Sequence, residues 1–405
     1  MVKLKKMKFE SGSSGSRYKA ADERKGIMAM DGWKEKLFRY YLTWSCRPVR
    51  IRGYLHRILP SSRIPYPAER SRIRAAALQL ELHLVKNPLH YVDLMHRRLR
   101  EAVEEGAQLI AFPEYNNLAL LGLLPGIEKM EEAYSKKGEQ KAKPVEQGKK
   151  VKGSEGKSPA EDISLVEVFR YMSPAVEPLV KTLFSSLAAA YGVHIMAGSY
   201  VIADGEATVN RSYLFGPAGE LIGLQDKVHL LPLEAEWGLK RGSAFSIFDT
   251  SVGRLAVPVC MDATYFETFR ILENKGTDIV LLPVANLESY NYWLALRGIW
   301  PRVQESPLYG IKSTLVGTIA GMTFTGRAGI FAPLELTPRR DGVLAEVETF
   351  EHEGMAVADL DLEALQILRS NHPWRDSNKA FYERYLSENS YTASMKEHTL
   401  SKRNI

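Results

Sequence analysis

Along the chain the rhythm of apolar and polar positions changes twice. Residues 1–30 are polar, carry Lys3, Lys5, Lys6 and Lys8 ahead of the run SGSSGS, and lack apolar periodicity, which predicts a disordered start. Over 31–59 the apolar positions Trp33, Leu37, Phe38, Tyr40, Tyr41, Leu42 and Trp44 are interleaved with Lys34, Lys36, Arg39, Arg47, Arg50, Arg52 and Arg57. That spacing predicts a pair of basic amphipathic helices. Such a pair packs its aromatic face on the rest of the chain or on a second copy, or it lies on an anionic membrane surface. Pro60, Pro65 and Pro67 then read as a linker that closes a basic extension of residues 1–72.

From residue 73 the pattern becomes that of alternating strands and helices. RIRAAALQLEL predicts a strand, and residues 88–105, with Val92, Met95, Leu99 and Val103 at helical spacing, predict a helix ended by Gly106. A strand at 109–112 runs into Pro113 and Glu114. Residues 131–162 hold almost no apolar side chains and read as an exposed charged insert. A helix at 165–191, broken near Pro174, leads to strands at 193–201, 212–215 and 221–225, the last ending in Asp226 and Lys227. A Val-rich strand at 255–259 delivers Cys260 to a turn, and a helix follows at 264–275. Further strands are expected at 278–283, 309–318, 328–332 and 355–359. The order predicts an α/β domain of residues 73–362 with helices outside. A polar tail, 363–405, carries Trp374, Phe381, Tyr382 and Tyr385 and offers a surface to a neighbour.

Composition sharpens this picture in two places. The net charge of +6 is uneven: residues 1–74 hold 19 Lys and Arg against 6 Asp and Glu, whereas the rest holds 35 against 42. The basicity therefore belongs to the extension. Two cysteines, Cys46 and Cys260, cannot build a disulfide framework or a cysteine-rich zinc site, which fits a reducing, cytoplasmic setting. No apolar run reaches the roughly 18 residues of a spanning helix. No secretory signal is expected. Phosphate-loop, dinucleotide-loop and HExxH patterns are missing, and no nucleic-acid partner is expected.

Three polar residues share one description, since Glu114, Lys227 and Cys260 each lie just beyond a short apolar strand. If those strands are neighbours in the sheet, the side chains converge at one edge. A thiol then has a carboxylate to take its proton and an ammonium to hold a developing oxyanion. A turn that leads into a helix also favours thiolate through free N–H groups and the helix dipole. The competing reading of Cys260 is a buried structural cysteine acting as a small hydrophobe. Neither His194 nor His229 is placed to serve as its partner.

The segments LIAFPEYN, QDKVHLLPLE and VPVCMDATYFE around these residues resemble, in order, the three signature blocks of the nitrilase superfamily, the carbon-nitrogen hydrolases. ALQLEL, NRSYLFGPAGELIG, PRVQESPLYG and GRAGIFAP extend the likeness over residues 73–362. The resemblance implies a four-layer αββα sandwich and a Cys-Glu-Lys triad without metal or organic cofactor. Cys260 would be the nucleophile, Glu114 the general base and acid, and Lys227, with the backbone N–H of Met261, the stabiliser of the tetrahedral intermediate. A further family glutamate falls on Glu234, with Glu236 as the competing choice. Asp262, Glu267, Arg270, Arg302 and Glu305 match structural positions. Residues 284–300, with Tyr290, Tyr292 and Trp293, are expected at the substrate entrance, where these rings cap a hydrophobic substrate or pack against the Glu114 loop.

The expected activity is hydrolysis of a non-peptide C–N bond in a small amide, carbamoyl compound or nitrile through a cysteine acyl-enzyme. Amides are preferred because amidase-type members make up the larger share of the resembled family. Acyl transfer on the same fold and a non-catalytic, membrane-associated scaffold are the alternatives. The resemblance also implies a homo-oligomer.

Overall fold

Among the described residues thirteen strands form one sheet that folds back on itself, and the alternation of their side chains explains why it must. The computed structural model describes residues 32–61, 71–127, 165–319 and 321–371, with isolated positions between 378 and 384. The Lys-rich start, Pro65, Pro67, the 131–162 insert, Trp374, Tyr382 and Tyr385 lie outside the described residues.

The strands are β1 (Arg72–Glu81), β2 (Leu109–Ala111), β3 (His194–Asp204), β4 (Ala207–Phe215), β5 (Leu221–Asp226), β6 (Ile247–Thr250), β7 (Gly253–Ala256), β8 (Ile279–Val284), β9 (Tyr309–Ile319), β10 (Met322–Phe324), β11 (Gly329–Phe331), β12 (Val343–Glu346) and β13 (Gly354–Asp361). The helices are α1 (Gly32–Cys46), α2 (Pro48–Ile58), α3 (Pro88–Glu104), α4 (Leu165–Tyr191), α5 (Pro232–Glu236), α6 (Phe266–Asn274), α7 (Tyr292–Leu296), α8 (Trp300–Glu305) and α9 (Leu362–Asn371).

The main path of the sheet runs β5-β4-β3-β2-β1-β9-β8-β7-β6. Along β1, Ala76, Leu78 and Leu80 join a core with the helices, whereas Ile73, Ala75 and Ala77 join a second core. Along β8, Ile279 and Leu281 face that same second core and Val280, Leu282 and Val284 face a third. The shared core is the space between two halves of the sheet. Ser313 of β9 spans it to the carbonyl of Ala111 in β2, at 2.8 Å. The outer cores are closed by α3 and α4 on one side and by α6 to α8 on the other. The result is the four-layer αββα sandwich.

Local chemistry accounts for the element ends. The Asn87 side chain accepts from the N–H groups of Leu89 and His90, and Pro88 fits the first turn that follows. The expected break at Pro174 does not occur, because α4 runs unbroken through Pro174 and Pro178. Each proline removes a helical hydrogen bond, but Val176, Leu179, Val180 and Leu183 remain buried on β3. Burial of about 1.5–3 kcal/mol per large apolar side chain outweighs those losses.

The basic helix pair forms as read. Phe38, Leu42, Cys46, Ile51 and Leu55 are buried against α4, and Phe38 stacks on Tyr171. Trp33, Leu37, Tyr40 and Trp44 remain on the exposed face.

Candidate active site

β7 ends at Ala256, and the next residues carry the chain to Cys260, which opens a tight 3-10 turn over Cys260–Thr264. Cys260 has φ +46° and Tyr115, next to Glu114, has φ +53°. Left-handed backbone costs a non-glycine residue about 1–3 kcal/mol and persists where surrounding contacts impose it. Asp262 supplies such contacts. Its carboxylate accepts from Val259 N at 2.8 Å and His229 N at 2.6 Å, and lies 2.9 Å from His229 Nδ1. One side chain thus clamps the turn before Cys260 to the segment after Lys227. His229 is engaged there, away from the thiol.

Glu114, Lys227 and Glu234 form a sealed network in which all three side chains are essentially without solvent contact. Lys227 Nζ donates to Glu114 Oε1 and to Glu234 Oε1, each at 2.8 Å. Glu114 Oε1 also accepts from Asn210 Nδ2 at 2.9 Å, and its Oε2 accepts from Ala285 N at 3.0 Å. Glu234 accepts from the Tyr115 hydroxyl, and through Oε2 from Leu231 N at 2.7 Å. Between the two glutamates left open by the sequence, Glu234 occupies this network and Glu236 is exposed.

The convergence is real, but its expected cause is wrong. β2, β5 and β7 are not neighbours, since β3 and β4 separate β5 from β2 and three strands separate β2 from β7. Folding of the sheet brings their C-terminal ends together across the central core. Ala285, which follows β8 in the opposite half, therefore bonds Glu114 after β2.

Electrostatics set the resting protonation. Burial pushes the Glu114 carboxyl up, while Lys227 holds it back and Glu234 raises it further. Burial alone would lower Lys227, yet Glu114, Cys260 and Glu234 outweigh it and keep the ammonium. The Cys260 thiol is pushed well above its usual range by burial and by Glu114, with Lys227 and the Ala285 N–H opposing. The expected bias of the turn toward thiolate is thus corrected, since burial favours the thiol. The α-helix that follows begins only at Phe266, and desolvation dominates.

A cavity of about 380 Å³ opens over Cys260 and Met261. Asn286, whose Oδ1 is 4.0 Å from the Cys260 sulfur, lines it, as do Leu282, Val284, Tyr290 and Lys312. Tyr290 stacks on Phe350, whereas Trp293 projects to solvent. Arg302 pairs with Glu305 at 2.7 Å, and Arg270 pairs with Glu273. Asn210, Tyr115, Asn286 and Lys312 were not singled out from sequence. Only Lys312 carries a local signal, a charge within a strand.

The αββα sandwich thus gathers a thiol, a carboxyl and an amine beneath one cavity. Residues 74–369 match the family model described as carbon-nitrogen hydrolase, and the chain belongs to that family. It is 32% identical over 195 residues to "Probable hydrolase YhcX" of Bacillus subtilis, covering 47% of this chain and 38% of that protein. The chain thus spans well under half the length of YhcX. It is 28% identical over 217 residues to "Nitrilase" of Pyrococcus abyssi, covering 53% and 79% of the two chains. A crystal structure of an amidase from Nesterenkonia sp. shares the fold at TM-score 0.53 and 19% identity, covering 79% of this chain and 99% of that one.

Proposed function

We propose that the protein hydrolyses the C–N bond of a small amide or carbamoyl compound, or a nitrile, through an acyl-enzyme on Cys260. The observation that carries this reading is the buried Glu114–Lys227–Glu234 network under the Cys260 turn. Because burial keeps the thiol protonated, Glu114 takes the proton as the sulfur attacks the carbonyl carbon. Lys227 has three N–H donors and spends two on the glutamates, which leaves one for the oxyanion beside the Met261 N–H. Glu114 returns its proton to the departing nitrogen as the C–N bond breaks, leaving a thioester. Water, deprotonated by Glu114, then attacks the thioester, and the acid leaves as the thiol regains its proton. Glu234 positions Lys227. An amine or thiol in place of water would give acyl transfer from the same intermediate.

The test is ammonia release from a panel of amides, carbamoyl amines and nitriles, with alkylation by iodoacetamide as a second readout. Cys46 is fully buried, whereas Cys260 opens into the cavity, so Cys46 should be inert. Cys260 should react faster and be protected by a turned-over substrate. Absence of both turnover and selective alkylation of Cys260 would refute the reading.

A second reading concerns location. Trp33, Leu37, Tyr40 and Trp44 form an outward stripe on α1, flanked by Lys34, Lys36, Arg47 and Arg50. No helix among the described residues is long and apolar enough to cross a membrane. A stripe of this kind suits the surface of an anionic bilayer and supports a cytoplasmic enzyme at its periphery. Co-sedimentation with vesicles containing phosphatidylserine should be lost in Trp33→Ser/Trp44→Ser, and equal binding to neutral vesicles would refute it. Exposed Tyr265, Phe266 and Ile271 around α6 suit the contact of a homo-oligomer, to be read by light scattering.

A further inference from the structure

Lys312 is a cation where the fold has room for an apolar side chain. On β9, Tyr309 and Ile311 enter the central core, so Gly310 and Lys312 face the outer layer of α7 and α8. At Gly310 that layer is so close that an added Cβ would lie 2.7 Å from Ile299. The neighbours of Lys312 across the sheet are Leu282 on β8 and Gly329 on β11. Its ammonium stands 5.4 Å from the centre of the Phe331 ring, and the residue is 5% exposed. Its hydrogen bond to Ala295 O is long, at 3.5 Å.

Among the described residues no carboxylate lies within 4 Å of this ammonium. The nearby acids are engaged elsewhere: Glu346 pairs with Arg327 at 3.0 Å, and Glu288 pairs with Arg297 at 3.8 Å. A buried charge that shares its nearest acid, Glu346, with Arg327 is only partly compensated, which suits a place where a ligand supplies further negative charge. Burial brings the Lys312 pKa down to about 8, with Glu346 opposing and Arg327 adding to the fall. The side chain lines the same cavity as Cys260, and about 380 Å³ suits a small metabolite. Arg297, at the same cavity but exposed and paired, can steer an anion without gripping it.

We propose that Lys312 is the anion-binding group of the Cys260 cavity, and that the substrate is an amide bearing a carboxylate or similarly compact anionic group away from the scissile bond. The inference deepens the hydrolase reading and rests on it. The anion enters a dry, apolar lining, where a single ammonium discriminates strongly against neutral analogues.

Monoamides of short straight-chain dicarboxylic acids and neutral alkyl amides of equal length form the probe pairs. In a first arm, the full chain carrying Cys260→Ala is titrated calorimetrically with each pair, with and without Lys312→Met. The anionic member should bind about 10- to 100-fold more tightly, and Lys312→Met should abolish that preference. In a second arm, the ratio of kcat/KM for the anionic over the neutral amide should fall by the same factor in Lys312→Met. Equal binding of the two members, or a preference that survives Lys312→Met, overturns the assignment. A preference in the Cys260→Ala chain without turnover by the wild type would sink the hydrolase reading and keep the anion site, whereas turnover without preference sinks the site alone. Should Lys312→Met not fold, the wild-type KM ratio decides: it must rise against the anionic amide as pH passes about 8. A flat ratio overturns the proposal.

Discussion

Replacing Glu114 by glutamine should stop turnover while making Cys260 easier to deprotonate, two effects of opposite sign. The carboxylate spends Oε1 on Lys227 at 2.8 Å and Asn210 at 2.9 Å, and Oε2 on Ala285 N at 3.0 Å. A glutamine has one acceptor oxygen, so its NH2 must face at least one of these donors. With the amide turned toward Ala285, one bond is lost and two donors meet, at a cost of about 1–3 kcal/mol in stability. Loss of the base should lower kcat by about 10²- to 10⁴-fold, or about 3–5 kcal/mol of barrier. The negative charge of Glu114 is also one of the causes that raise the thiol, so its removal should shift iodoacetamide alkylation of Cys260 to lower pH. The assay is amide turnover beside alkylation rate, both against pH. Hydrolysis near the wild-type rate would refute the assignment of Glu114 as base, and an alkylation profile moved to higher pH would refute the claim that its charge raises the thiol.

Three further substitutions probe other buried charges. Lys312→Met should stabilise the unliganded protein at neutral pH by about 3 kcal/mol, since the folded chain releases this proton near pH 8 and the unfolded chain near 10.5. The penalty is present below pH 8 and is relieved as pH rises to 10.5, so the variant should lack that alkaline gain in Tm; a lower Tm at neutral pH would contradict it. Burial lowers His194 from 6.5 to about 4, so it contributes stability above pH 6.5 that is lost as pH falls through 4, up to about 3 kcal/mol. His194→Gln should flatten urea-unfolding stability across that window, and an unchanged slope would speak against it. Lys227→Met leaves Glu114 and Glu234 buried without their cation and should cost about 3–5 kcal/mol, a loss that denaturant titration should find smaller in acid, where a carboxyl takes up a proton.

Short apolar runs made much of the sheet legible from sequence. RIRAAALQLEL and IVLLPV read as strands because each is buried on both sides, and for the same reason they do not show which face is inner. Cys260, Glu114 and Lys227 stood out for the opposite reason, as polar groups ending apolar runs. What sequence could not supply was long-range. That β2 and β7 meet across a folded sheet rather than side by side depends on β9 and β13 both pairing with β1. Continuity of α4 through two prolines depends on packing against β3. The raised thiol depends on how thoroughly the turn is buried, whereas the local sequence displays only the helix that follows. β6, β10 and β12 are three or four residues long and carry too little periodicity to be seen alone.

The most direct measurement is a mass spectrum of the protein quenched in acid during turnover of an amide substrate, with Glu234→Gln used to slow breakdown of the intermediate. The expected result is the mass of the acyl group on the peptide that contains Cys260, with none on Cys46 and none in Cys260→Ala. Rapid turnover without any adduct on Cys260, or undiminished turnover in Cys260→Ala, would contradict covalent catalysis by this thiol.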